Sequence, residues 1–342
     1  MDAIGNLYDS CGYLDVAALF SYPTVFNFVV AGRGTGKSFG ALKYIYESGK
    51  TAVYLRRTQK QADIVSKPEF TPFKPVADML GIDYYVDKVV PGVTALRTDD
   101  RTVFYTAALS TFASLRSFDM SDVSIIFYDE FIPEPSEKAP IRYEYEAFLN
   151  MYETVNRNRE LSGKEPVKLF AAANANDIDN KIFIGLGLVA VTDRMIKKGL
   201  QEWHDPKRSI SLYYPSRSPI SEKKQATALY KLAENTDFIR MAIQNSYNID
   251  YSDILNRPQV EYKPIVNLGE LCVQRHKSRS EEYLVTIGPA KGSAPSYPAT
   301  EKGILQFKEK FPRVVYYWLF GDRFYYQNLL SKSLFTTYMK DI

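Results

Sequence analysis

Lys37 and Ser38 close a run of mostly small residues, Ala31-Gly32-Arg33-Gly34-Thr35-Gly36-Lys37-Ser38, and a lysine beside a hydroxyl in that setting suits polyphosphate binding. Glycines let successive backbone N–H groups turn toward one point, and a helix beginning there adds the positive end of its dipole. Lys37 would neutralise the β- and γ-phosphates of a nucleotide, and the Ser38 hydroxyl would reach a bound Mg²⁺. The usual pattern opens with glycine, where this chain has Ala31. A second group, Asp129-Glu130, could complete the chemistry. The first carboxylate would hold Mg²⁺ and the second would polarise the water that attacks the γ-phosphate. An adjacent glutamate favours ATP hydrolysis over phosphoryl transfer to a substrate, because a kinase must keep water inactive. Either motif alone also fits a polar turn after a core strand; their combination points to a hydrolytic site.

These residues need strands that end at one edge of a sheet. The apolar run Val25 to Val30 reads as a strand before the glycine-rich loop, and Phe39 to Ser48 reads as the helix after it, ending at Gly49. Thr51 to Leu55 is a short strand closed by Arg56-Arg57. Tyr84 to Val90 and Val103 to Thr106 read as an antiparallel excursion. Val123 to Tyr128 and Val167 to Ala172 are continuously apolar, as expected of buried parallel strands, and they deliver Asp129-Glu130 and Asn174. Tyr143 to Thr154 between them has helical periodicity. Alternating strands and helices imply an α/β domain over residues 1–197 with ligands at the carboxyl ends of its strands. Residues 198–257 read as a basic, partly helical linker, and residues 258–342 as a smaller α+β domain. In that second domain Tyr283 to Ile287, Val314 to Leu319 and Arg323 to Tyr326 are expected as strands, with a helix over Glu301 to Lys310.

Composition sets outer bounds. A net charge of +3 is too small for a surface that binds polyanions everywhere, so any nucleic acid must meet local basic patches. Cys11 and Cys272 form no metal-spaced or disulfide-dense pattern, which fits a reducing compartment. The longest apolar run, Ile182 to Val191, is too short to span a bilayer, so a soluble, cytoplasmic protein is expected with no membrane partner. His204 and His276 suggest no metal cluster or triad.

The arginine-bearing phosphate loop, Phe127-Tyr128-Asp129-Glu130-Phe131-Ile132, the segment Thr154 to Glu160 and the strand end Asn174-Ala175 occur in the order found in the phi29-type DNA-packaging ATPases of small tailed bacteriophages. The chain resembles that family over about its first 180 residues. The resemblance implies an ASCE-type P-loop ATPase that uses ATP and Mg²⁺ and forms a ring, five-membered in the family. That ring sits at the portal of a preformed capsid in the host cytoplasm and drives double-stranded DNA inward, with a scaffold RNA as a further partner. It implies catalytic roles for Lys37, Glu130, Asn174 and Arg157, the last as an arginine finger reaching a neighbouring subunit's γ-phosphate, with Arg159 as the alternative. Nucleotide contacts would come from Gly32, Arg33, Gly34, Thr35, Gly36, Lys37 and Ser38, and Mg²⁺ contacts from Ser38 and Asp129. Arg116, in the Ser-rich segment before the acidic strand, would meet DNA phosphates together with Ser114 and Ser117. Arg56, Arg57 and Lys60 form another basic edge facing DNA or an adjacent subunit. Related motors carry an RNase H-like nuclease in the C-terminal domain. Here Asp322 and Asp341 are the only aspartates after Pro258, so a degenerate nuclease fold is expected, with Arg275, Lys277, Arg279, Lys291 and Arg313 as possible contacts. The competing expectations are a terminase with an active nuclease and a nucleotide-switched binding or assembly protein.

Overall fold

A computed structural model describes residues 7–134, 137, 141, 143–176, 178–215, 218–233, 236–247, 249–255, 259–290, 292 and 294–340. Lys291 and Asp341 lie outside the described residues. The chain divides into two compact units, residues 1–182 with 195–248, and residues 183–194 with 249–342.

The first unit is built on nine strands: β1 (Phe26–Val30), β2 (Thr51–Arg56), β3 (Tyr85–Val90), β4 (Val93–Arg97), β5 (Thr102–Ala108), β6 (Val123–Asp129), β7 (Lys168–Ala173), β8 (Glu202–Asp205) and β9 (Ile210–Tyr213). Their order is β3-β4-β5-β2-β6-β7-β1-β9-β8. From β5 to β9 every neighbouring pair is parallel, while β3, β4 and β8 join antiparallel at the edges. Strands covered on both faces must be apolar throughout, which is why β6 and β7 read as unbroken hydrophobic runs. Rings from adjacent strands meet within the core: Tyr54 and Phe127 lie 5.4 Å apart, and Phe127 and Phe170 5.6 Å. Burial of one such phenylalanine contributes about 2–3 kcal/mol. The expected antiparallel excursion of Tyr84 to Val90 with Val103 to Thr106 is corrected: β4 lies between them and pairs antiparallel with both β3 and β5, and β5 also pairs with β2, so the excursion belongs to the main sheet.

The expected linker over 198–257 is corrected in its first part. β9 pairs in parallel with β1, Phe26 opposite Ile210, and residues 195–248 belong to the first unit. β1 would otherwise leave its ladder groups unpaired on one side, and four buried residues of β9 are enough to satisfy them.

In the second unit β10 (Tyr262–Leu268), β11 (Leu271–His276), β12 (Tyr283–Ile287), β13 (Ser296–Tyr297) and β14 (Phe324–Tyr326) form a sheet of order β13-β10-β11-β12-β14. Helices Glu301–Lys310, Pro312–Phe320 and Leu329–Lys340 bury Phe307, Val314 and Phe335 in its core. Val314 to Leu319, expected as a strand, is helical. Pro312 pre-sets the first turn, and Val314, Tyr317 and Trp318 recur at helical spacing on the packed face.

Candidate functional site

The loop after β1 turns directly into helix Lys37–Glu47. Gly36 makes that turn at φ 83, a conformation other residues resist, and a β-carbon there would lie 2.7 Å from the Tyr13 side chain. No side chain caps this helix, so its first-turn N–H groups keep their capacity for an anion. Ala31 in place of glycine has a local reason: its N–H donates to the Ala173 carbonyl at 3.1 Å, so the residue still belongs to the ladder.

Strand register brings the other groups to the same edge. Val30 stands opposite Ala173, and Asp129 opposite Ala172, so Asp129-Glu130 and Asn174 emerge beside the loop. Lys37 Nζ donates to Ala31 O and Gly32 O at 2.8 Å and to Asn174 Oδ1 at 2.9 Å. Burial lowers the Lys37 ammonium to about pKa 7, although Asp129 and Glu130 act in the opposite direction. Ser38 Oγ donates to the Asp129 carboxylate, 3.1 Å from Oδ1 and 3.0 Å from Oδ2. Thr35 is buried, its hydroxyl donating to Gly32 O at 3.0 Å. Arg33 is half-exposed and paired with Glu134. A cavity of about 560 Å³ is lined by Arg33, Gly34, Gly36, Lys37, Ser38, Asp129, Glu130 and Asn174, together with Tyr13, Phe39 and Pro75.

The carboxylate pair is held from behind by β2. Tyr54 OH donates to Asp129 Oδ2 at 2.9 Å, Arg56 Nη1 donates to the same oxygen at 3.2 Å, and Arg56 Nη2 pairs with Glu130. Burial raises the Asp129 carboxyl above its ordinary range, with Arg56, Tyr54 and Ser38 opposing that shift. Burial also works against the Arg56 charge, yet Tyr54, Asp129 and Glu130 outweigh it and raise the guanidinium above its ordinary value. Glu130 adopts φ 53, a left-handed conformation uncommon outside glycine and characteristic of functional turns.

This arrangement corrects one expectation. Arg56 and Arg57 form no basic edge. Arg57 is 2% exposed, with Nε and Nη2 donating to Glu144 at 2.7 and 3.1 Å and Nη1 to Glu137 at 2.9 Å. Buried guanidinium groups must be paired, and these two are spent on acids of their own chain. Lys60 and Arg116 are exposed. Arg157 is exposed too and donates to Phe118 O at 2.9 Å, whereas half-buried Arg159 donates to Ser121 O at 2.7 Å and to Val123 O.

Sequence reasoning missed Tyr54 behind Asp129 and gave Arg56 another role, and it also missed Tyr13 and Phe39. Tyr54 and Arg56 are two apart on one strand and so share a face, but only the β2-β6 adjacency shows what that face meets.

Oxygen donors at Ser38 and Asp129 fit Mg²⁺, which is bound by one or two carboxylates plus waters and phosphate oxygens. Among the described residues no three His, Cys, Asp or Glu side chains gather as a metal cage, and Mg²⁺ in a nucleotide site requires none.

Such a fold and site define an α/β protein with a large, mainly parallel sheet and a glycine-rich strand-to-helix loop at its carboxyl edge. Within that class the chain belongs to the Podovirus DNA encapsidation protein (Gp16) family, whose sequence profile matches residues 8–266. It is 26% identical over 233 residues to the DNA packaging protein of Bacillus phage PZA, covering 67% of this chain and 64% of that relative. The match therefore spans just under two thirds of the relative's length. The Phi-28 gp11 DNA packaging motor superposes with a TM-score of 0.67 at 21% identity, covering 96% of this chain and 98% of that one. The bacteriophage Phi-29 viral genome packaging motor assembly gives 0.67 at 18% identity, covering 96% and 99%. At these identities the two structures establish the fold. No helix among the described residues is long and apolar enough to cross a membrane.

Proposed function

We propose that this chain is an ATPase that drives double-stranded viral DNA into a preformed capsid, as one subunit of a ring at the portal in the host cytoplasm. The carrying observation is the convergence of Lys37, Ser38, Asp129, Glu130 and Asn174 at the carboxyl ends of β1, β6 and β7. Strand order supports the ASCE P-loop reading, because β7 lies between the loop strand β1 and the acidic strand β6. The relatives' description as DNA packaging proteins supports the substrate, and a ring of five is the assembly the resemblance implies.

Lys37, now bonded to its own loop and Asn174, is placed to exchange those neutral acceptors for phosphate oxygens. Ser38 and Asp129 would hold Mg²⁺, which when bound neutralises phosphate charge. Glu130, at the cavity wall, is the base that takes a proton from water, and Arg56 beside it orients the carboxylate. Asn174 would position that water once released by Lys37. Arg157 is the finger offered to a neighbour, and exposed Arg116 and Lys60 are the DNA-facing cations. Phosphate-directed contacts suit a motor that must accept any sequence. The second unit is read as a degenerate RNase H-like module that binds nucleic acid or the portal. Two of its acids are paired within the unit, Glu282 with Tyr262 and Arg279, and Asp253 with Lys332.

Glu130→Gln tests the reading through phosphate release in the presence of DNA and portal. Turnover should fall about a hundredfold or more with ATP still bound. Turnover at the unmodified rate would refute the assignment.

A further inference from the structure

Helix Pro219–Gln225 follows the main sheet, yet its Lys224 reaches back 191 residues to the glycine-rich loop. Lys224 Nζ donates to Arg33 O at 2.7 Å. A β-carbon on Gly34 would lie 1.8 Å from that ammonium, so the lysine occupies the space over Gly34. Two further bonds fasten nearby residues to the loop and to the end of β1. Arg33 N–H donates to Ala242 O at 3.1 Å, and buried Asn245 Nδ2 donates to Val30 O at 2.7 Å. Lys224, Ala242 and Asn245 thus all bond to the loop or to the strand residue just before it.

The charge balance there is lopsided. Arg33, Lys37 and Lys224 surround one short stretch of backbone; Arg33 pairs with Glu134, and Asp129 and Glu130, the acids that favour charge on Lys37, are themselves paired with Arg56. The hydrogen-bond acceptors of Lys37 and Lys224 are neutral, namely three loop carbonyls and the Asn174 amide. Burial and then Arg33 hold the Lys224 ammonium below the usual lysine range, and Lys224 is among the cations that disfavour charge on Lys37. Like charges gathered in a part-buried site are unfavourable until an anion enters.

We propose that Lys224 is a third cationic ligand for the polyphosphate of the nucleotide, supplied in cis, and that it distinguishes a triphosphate from a diphosphate. The inference rests on the nucleotide reading of the loop given above. Its basis is position: the ammonium lies at Arg33–Gly34, residues that share one cavity with Glu130 and Asn174, the groups assigned to the terminal phosphate. A diphosphate has the helix N-terminus, Lys37 and Ser38 to meet its charge. The added charge of a third phosphate calls for one more cation, and Lys224 stands next to the loop with only neutral partners to give up, the Arg33 carbonyl and the face of the Tyr230 ring 5.9 Å away.

The test titrates the full chain with a non-hydrolysable ATP analogue and with ADP, each with Mg²⁺, by calorimetry. Lys224→Gln, one atom shorter, keeps an N–H donor and removes the charge; Lys224→Ala removes both, and thermal melting without ligand reports folding. Both variants should lose about tenfold or more in affinity for the triphosphate analogue, the size of one charge-assisted bond, and less than about threefold for ADP. Lys224→Arg should retain most of the affinity. Unchanged triphosphate affinity in Lys224→Gln, or an equal loss for both nucleotides, overturns the proposal. Lys37→Ala separates the underlying reading: if that variant binds triphosphate as tightly as the unmodified chain, the loop is not the nucleotide site and both inferences fall.

Discussion

Arg56 Nη1 donates to Asp129 Oδ2 at 3.2 Å, tying the last residue of β2 to the last residue of β6. Because the same guanidinium also pairs with Glu130, the acid pair is partly neutralised from inside the protein before any cation arrives. Removing a partner from a buried ion pair leaves its charge uncompensated. Arg56→Ala should therefore destabilise the fold by about 3–5 kcal/mol in a urea titration. Arg56→Lys, which keeps the charge but loses the fork, should fall between the two. Wild-type stability in Arg56→Ala would mean that the pairing contributes nothing net.

Lys37 gives a pH dependence whose sign follows from its depressed value. The unfolded chain holds this proton up to the ordinary lysine value of 10.5, whereas the folded chain releases it at about 7. Folding thus expels a proton between those limits, and this group's penalty on stability is full below about pH 7 and disappears as pH rises toward 10.5. A bound polyphosphate would restore the charge. Nucleotide binding at pH 8 should take up a substantial fraction of one proton, seen as a binding enthalpy that changes with the ionisation enthalpy of the buffer. Identical enthalpies in phosphate-free buffers of very different ionisation heat would contradict this.

The part of the site built from contiguous sequence was legible, because a strand, glycine-rich loop and helix leave a local pattern. So was Asp129-Glu130, since β6 is buried on both faces and its apolar run ends abruptly in charge. What could not be read depended on strand order. Arg56-Arg57 looks like a surface patch until β2 is placed against β6, and Ile210 to Tyr213 is too short to announce itself as the strand that completes β1. Lys224 sits in a lysine-rich segment that resembles a solvated linker, and only the fold carries it back to Gly34. Val314 to Leu319 misled because its β-branched and aromatic residues favour strands, while tertiary packing along one helical face decided otherwise.

Arg157 and Arg159 are two residues apart and separate cleanly in the structure. Arg159 is half-buried and its guanidinium donates to Ser121 O and Val123 O, so it holds the residues leading into β6. Arg157 is exposed at φ 49, just beyond helix Glu144–Asn156, and its guanidinium donates to Phe118 O at 2.9 Å, so little has to break for it to reach outward. Arg159→Ala should therefore lower stability by about 1–3 kcal/mol, the cost of losing charge-assisted bonds to two carbonyls. Arg157→Ala should change stability by less than about 0.5 kcal/mol, as for most surface positions. Under the proposed ring and finger reading, nucleotide affinity of the isolated chain stays unchanged, while turnover of the assembled ring falls about a thousandfold, the lower range for a lost arginine finger. Urea titration and phosphate release on the two variants read both quantities. Full turnover in assembled Arg157→Ala would dismiss it as the finger, and loss of turnover at unchanged stability in Arg159→Ala would transfer the role to its neighbour.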